Sequence, residues 1–183
     1  MKKWFLFLVL VFLHVLPSLQ AQERQHELGL RLSGLQDFDF IYKKSDNGIK
    51  FKRYRLAVGD VYLVLRESNQ MNFNLAYAQG IEKRKNIGKN VQFIHGWEPG
   101  LYVSLNSQGD NFNGTAGVFI GYVLGFQINI GEHFYVNLEA IPSLRVADLF
   151  SDNDDDTGLV VNAGFDSNAV ALTLSYTFTA PKK

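Results

Sequence analysis

From Glu27 to Phe178 large apolar side chains keep returning at every second position, and no helical stripe competes with them. Leu28, Leu30 and Leu32 are interleaved with Glu27, Gly29, Arg31 and Ser33. Val118, Ile120, Tyr122, Leu124, Phe126 and Ile128 are interleaved with Gly117, Gly121, Gly125, Gln127 and Asn129. A period of two is the signature of a β-strand with one apolar face. Six more segments of this kind centre on Phe40, Leu56, Leu75, Trp97, Val136 and Leu174, which makes eight. Most approach the roughly 9–11 residues that a tilted strand needs to cross a bilayer.

The two faces differ in a way that bears on the solvent. One carries long aliphatic and aromatic groups. The other carries Gly, Ala and Ser together with both signs of charge: Glu27, Arg31, Arg53, Arg55, Glu82, Glu98, Glu139 and Arg145. Eight strands enclose a space only wide enough for side chains, so small and paired charged residues fit inside while bulky apolar ones face lipid. An open sheet would leave backbone groups unpaired in hydrocarbon, at several kcal/mol each. The expectation is therefore an all-β, closed, antiparallel, up-and-down transmembrane barrel of eight strands with a filled polar lumen. A soluble, exported, lipocalin-like barrel is the alternative, and it requires the opposite orientation, with a dry apolar centre.

The N-terminus reads as an address. Met1-Lys2-Lys3 precedes the apolar run Trp4 to Leu16, and Pro17 to Ala21 follows with a small residue at its end. That is the pattern of a cleaved secretory signal peptide over residues 1–21, leaving 22–183 as a single barrel domain. The apolar run spans only about 20 Å as a helix, short of a hydrocarbon core of about 30 Å. With the N-terminus on the periplasmic side, Lys44 to Ile49, Lys85 to Asn90 and Gly131-Glu132 form short periplasmic turns. Asn106 to Thr115 and Ala147 to Ser167 form the longer outward loops. Gly158 to Phe165 reads either as part of that last loop or as a ninth strand. Pro99 and Pro142 fall within strands and are expected at bulges or kinks.

Composition excludes several chemistries. The chain has no cysteine, which removes disulfides, thiolate metal sites and thiol nucleophiles. Its 18 basic and 18 acidic residues give no basic surplus for nucleic acid. Beyond the leader only His26, His95 and His133 are available as imidazole bases, and no nucleophile elbow, metalloprotease pair or phosphate loop is present. No catalytic residue and no cofactor is expected. Asp152, Asp154 and Asp156 offer alternate carboxylates to a divalent cation. The calcium-loop template fails, however, where the chain has Thr157 and Ala163. The eight lumen charges are expected to neutralise one another as an ion-pair plug that blocks solutes. Lys50, Lys52, Arg53 and Arg55, and Lys83, Arg84, Lys85 and Lys89, form basic clusters. Those near turns are expected to meet anionic headgroups or water, and Trp97 to anchor at the interface.

With its leader, eight alternating segments and closing Leu172-Thr173-Leu174-Ser175-Tyr176-Thr177-Phe178, the chain resembles the small outer-membrane β-barrel family of Gram-negative bacteria. The likeness is to the porin-family domain typified by OmpX- and OmpA-like barrels, and it covers Glu27 to Phe178. It implies residence in the outer membrane, among lipid and lipopolysaccharide. It also implies that Tyr176 and Phe178 serve as the terminal signal read by the barrel-assembly machinery, although the tail Thr179 to Lys183 departs from the family's aromatic ending. The expected role is non-catalytic: envelope integrity, adhesion, or an accessory subunit of a larger outer-membrane complex. A narrow passive channel for small or apolar solutes is the competing expectation.

Overall fold

The computed structural model describes residues 24–33, 38–64, 70–109, 111–152, 157–165 and 169–180. The leader lies outside them. Ten strands run in chain order: β1 (Arg24–Leu32), β2 (Phe38–Ser45), β3 (Lys50–Val64), β4 (Gln70–Asn86), β5 (Val91–Gln108), β6 (Asn111–Asn129), β7 (Phe134–Ala140), β8 (Ser143–Ser151), β9 (Gly158–Gly164) and β10 (Val170–Ala180). All pairings are antiparallel. β1 to β7 and β10 pair in a ring of eight, with β1 against β10 at the seam from Arg24–Ala180 to Leu32–Leu172.

Ten strands make eight staves because the last two staves are interrupted. β7 and β8 lie against one strand, β6, in a single register, with Leu124 facing Ala140 and Gly121 facing Ser143. Only Ile141 and Pro142 stand between them, where proline has no N–H to give the ladder. Facing them, Val170 pairs with Ala140 and Gly164 with Ser143, so six residue steps on the last stave match three on its neighbour. The segment Gly158 to Gly164 is thus the upper end of the eighth stave rather than a ninth stave or a loop. Pro99 sits where the β4–β5 ladder lapses, between the pairs Ala78–Gly100 and Ile81–Trp97.

The tight turns gather at one end. In the β2–β3 turn Gly48 has φ +69°, a conformation that a Cβ disfavours. Ser45 Oγ donates to Lys50 O at 2.7 Å and accepts from Gly48 N at 2.9 Å. The β4–β5 and β6–β7 turns close with Ile87 N to Val91 O at 3.1 Å and Ile130 N to Phe134 O at 2.9 Å.

At the other end the hairpins are taller than the sequence suggests. β5 and β6 remain paired to Gln108–Asn111, so Asn106 to Thr115 is strand almost to its tip, not a long loop. Gly109 has φ +63° where β5 ends. Ala147 to Ser167 is likewise largely strand, in β8 and β9. Turn-forming composition gives way in both places to cross-strand pairing, which gives the backbone ladder partners along β5–β6 and β8–β9.

Strand parity sets inside and outside. Leu28, Phe40, Leu56, Tyr77, Leu101, Val118, Leu138 and Leu172 are exposed on the wall, and Glu27, Lys43, Arg53, Glu82, Glu98 and Glu139 are buried. The lumen is not purely polar, however. Ile41, Phe51, Ile94, Val123 and Tyr135 also point inward and are buried, which corrects the expectation of only small and charged residues there.

Candidate functional site: a charge-balanced lumen

The barrel centre is one connected ion-pair network of ten side chains. Arg84 reaches Glu27 by two hydrogen bonds of 2.6 and 2.7 Å and Glu82 by one of 2.7 Å. Lys43 Nζ lies 2.6 Å from Glu82 and 3.5 Å from Glu139. Arg53 holds three carboxylates at once: Glu82 at 3.1 Å, Glu139 at 2.7 Å, and Glu98 through Nε. Arg55 bridges Glu98 at 2.6 Å to Asp39 at 3.0 Å. Arg31 bridges Asp39 at 2.7 Å to Glu139 at 3.8 Å.

Five carboxylates therefore meet five cations. The balance matters because an uncompensated charge in a low-dielectric interior costs several kcal/mol, and a buried pair survives only when its remaining hydrogen-bonding capacity is also met. Arg53, Glu82 and Glu98 have no solvent-accessible surface at all. Local structure makes the convergence possible. The inward positions of a strand alternate, so Arg53 and Arg55 on β3, Glu82 and Arg84 on β4, and Glu27 and Arg31 on β1 all project to the axis. Stacking completes the packing, with the Arg84 guanidinium 3.6 Å from the Phe51 ring centroid.

Of the eight charges singled out from sequence, Glu27, Arg31, Arg53, Arg55, Glu82, Glu98 and Glu139 belong to this network. Arg145 stands above it, with Nε donating to Ser143 Oγ at 3.3 Å and its guanidinium near the Tyr102 and Phe119 rings. Three members escaped the sequence reading. Asp39 and Lys43 lie on the polar face of β2. Arg84, assigned from sequence to a turn cluster at the headgroups, is buried in the lumen instead. Its parity with Glu82 is the signal that could have found it; its neighbours Lys83 and Lys85 obscured it.

Above the network the lumen opens into a cavity of about 430 Å³, with Arg31, Arg55 and Asp39 at its floor and Tyr102, Phe119 and Arg145 on its walls. The ring is incomplete at this level. β2 accompanies β3 only as far as the pair Asp39–Ala57, whereas β3 continues to Val64, and β9 pairs with β8 alone. Among the described residues, one edge of upper β3 and one edge of β9 have no strand partner.

The remaining candidates are elsewhere. Asp152 Oδ2 accepts from Phe112 N at 3.1 Å, at the tip of the β6–β8 ladder. Asp154 and Asp156 lie outside the described residues, and no metal-holding cluster occurs among those described. Tyr176 and Phe178 face outward in a run of rings. Phe178 stacks on His26 and on Tyr176, and Tyr176 packs against His133 and Phe134. His26 and His95 also sit on the outer wall. His26 Nδ1 is 2.7 Å from the Tyr42 hydroxyl and His95 Nδ1 is 3.4 Å from that of Tyr122.

No protein-family model matches the chain. No curated protein matches it. Among solved structures, the crystal structure of Ail, the attachment invasion locus protein of Yersinia pestis, aligns over 85% of this chain and 95% of its own. The identity is 14% and the TM-score 0.44.

Proposed function

We propose that this chain is a non-catalytic barrel of the Gram-negative outer membrane that acts through its walls and outer hairpins, its lumen being closed to solutes. The observation that carries the reading is the inversion of a soluble protein's distribution: a fully paired ionic centre inside a ring whose exterior is apolar from Leu28 and Phe40 round to Val118 and Leu172. A lipocalin-like barrel needs the reverse. Exposed apolar bands of this extent are stable where the solvent is hydrocarbon, and aromatic rings such as Tyr42, Trp97 and Tyr176 suit its boundary.

In this reading the ends differ in task. The tight turns face the periplasm. The taller sheet of β3, β4, β5, β6, β8 and β9 stands outward, where it serves envelope integrity, adhesion, or contact with a larger outer-membrane complex. Lipid and lipopolysaccharide surround the wall, and Tyr176 and Phe178 are read by the assembly machinery during insertion.

The test is twofold. Purified protein in planar bilayers should show no sustained conductance steps, since the network leaves no aqueous path between Arg53 and its three carboxylates. Discrete steps would favour the narrow-channel reading. Fractionation of expressing cells should recover the protein only with detergent, and recovery in the soluble periplasmic fraction would overturn the membrane placement.

A further inference from the structure

The exterior carries a cluster of lysines near the tight turns. Lys44 on β2, Lys50 and Lys52 on β3, and Lys83 and Lys85 on β4 all face outward near the tight-turn end. The register sets Lys44 directly opposite Lys52 and Lys50 directly opposite Lys83. Like charges in directly opposed cross-strand positions repel and destabilise the pair. Among the described residues, none of these five lysines forms an ion pair with a carboxylate; Lys44 alone has a ring contact, 5.7 Å from the Tyr54 centroid.

Beside these lysines the wall is grooved. A trough of about 890 Å³ begins at Lys50, Lys52 and Lys83 and runs up to Tyr77 and Leu101. Pro99, small and outward-facing between Trp97 and Leu101, lowers the wall along its course. From Lys83 to Tyr77 the trough covers six residue steps of β4, about 20 Å at roughly 3.3 Å per residue. On a strand tilted by about 45° that is some 14 Å of depth, close to one leaflet of a hydrocarbon core about 30 Å thick. Lys52 pairs with Ile81 and Ile81 with Trp97, so the lysine and the indole lie two strands apart in one ladder row beside the same trough.

We propose that this patch and trough form a binding site for one anionic diacyl phospholipid of the leaflet at the tight-turn end. The phosphate lies between Lys50 and Lys83 with Lys52 beside it, and one acyl chain runs over Pro99 against Trp97 and Tyr122. The anion relieves the opposed-lysine repulsion, and the chain fills a trough that the barrel's own side chains leave open. This inference rests on the membrane placement proposed above.

Trp97 makes the site directly observable, because the sequence has only two tryptophans and the other is Trp4. The experiment places the Trp4→Phe chain in phosphatidylcholine vesicles containing, at equal mole fraction, chain-brominated phosphatidylcholine or chain-brominated phosphatidylglycerol. Quenching of Trp97 then gives their relative association constants. Phosphatidylglycerol should be preferred about fivefold, as expected for one screened lysine–headgroup contact. The preference should fall to about one in Lys50→Gln/Lys83→Gln and, without any mutation, in high salt. It should survive Lys89→Gln in the nearby turn. Equal quenching by the two lipids, or a preference that persists in Lys50→Gln/Lys83→Gln, would overturn the site while leaving the barrel in the bilayer. Absence of quenching by either lipid would overturn the membrane placement itself.

Discussion

The lower and upper halves of this lumen solve the same problem of an enclosed polar interior in opposite ways. Below the level of Asp39 and Arg55 every charge is paired, buried and held by strands on both sides. Above it, the cavity keeps Arg145 only part-buried among aromatic rings, and the surrounding sheet loses two of its eight staves. The contrast teaches that closure and burial go together here. Where the ring is complete, a charge must find an opposite charge. Where β1 and β2 stop short, the lumen opens and its polar lining is only part-buried.

Substitutions should therefore act very unequally along the axis. The largest loss is expected for Arg53→Met, which takes the shared cation from Glu82, Glu98 and Glu139 at once and leaves five buried carboxylates to four cations. A cost of about 3–5 kcal/mol should appear as a lowered urea midpoint of the folded barrel in detergent, followed by its gel mobility shift. Arg84→Leu removes the paired hydrogen bonds to Glu27, the bond to Glu82 and the stack on Phe51. It should cost about 2–3 kcal/mol in the same assay. Arg145→Gln, in the upper half, should cost no more than about 1 kcal/mol, since the side chain is only part-buried and its contacts are shared with solvent. Val160→Thr on β9, exposed and beside a free edge, should fall within about 0.5 kcal/mol of the parent. An Arg145→Gln loss as large as that of Arg53→Met would erase the distinction between the halves.

Parity along each strand made most of this wall legible from sequence, because a one-residue error in face would have put Glu27 or Glu98 into lipid. It also brought seven lumen charges to the axis by name. What stayed hidden has physical causes. Arg84 lies between two lysines, and local composition there imitates a turn although its position two residues after Glu82 sends it inward. Asn106 to Thr115 has the polar, glycine-bearing composition of a loop, yet zipping β5 against β6 satisfies its backbone better than a loop would. Phe51, Ile94 and Val123 sit inside because ion pairs alone do not fill an eight-stranded lumen, and no rule of alternation states how large an inward side chain is to be. The interruption at Ile141-Pro142 was marked by its proline, but its counterpart across the stave, the extra residues between Gly164 and Val170, carries no such mark.

The order in which the network's members are synthesised follows from where they lie. β1 to β5 carry all five cations but only Glu27, Asp39, Glu82 and Glu98, so a chain grown that far holds one surplus positive charge about the nascent axis. Glu139, on β7, is the last acid to arrive, and β10 must still meet β1 before the seam can shut. Neutrality at the centre and completion of the wall are thus both deferred to the end of the polypeptide, and a protein truncated before β7 would lack the one and the other.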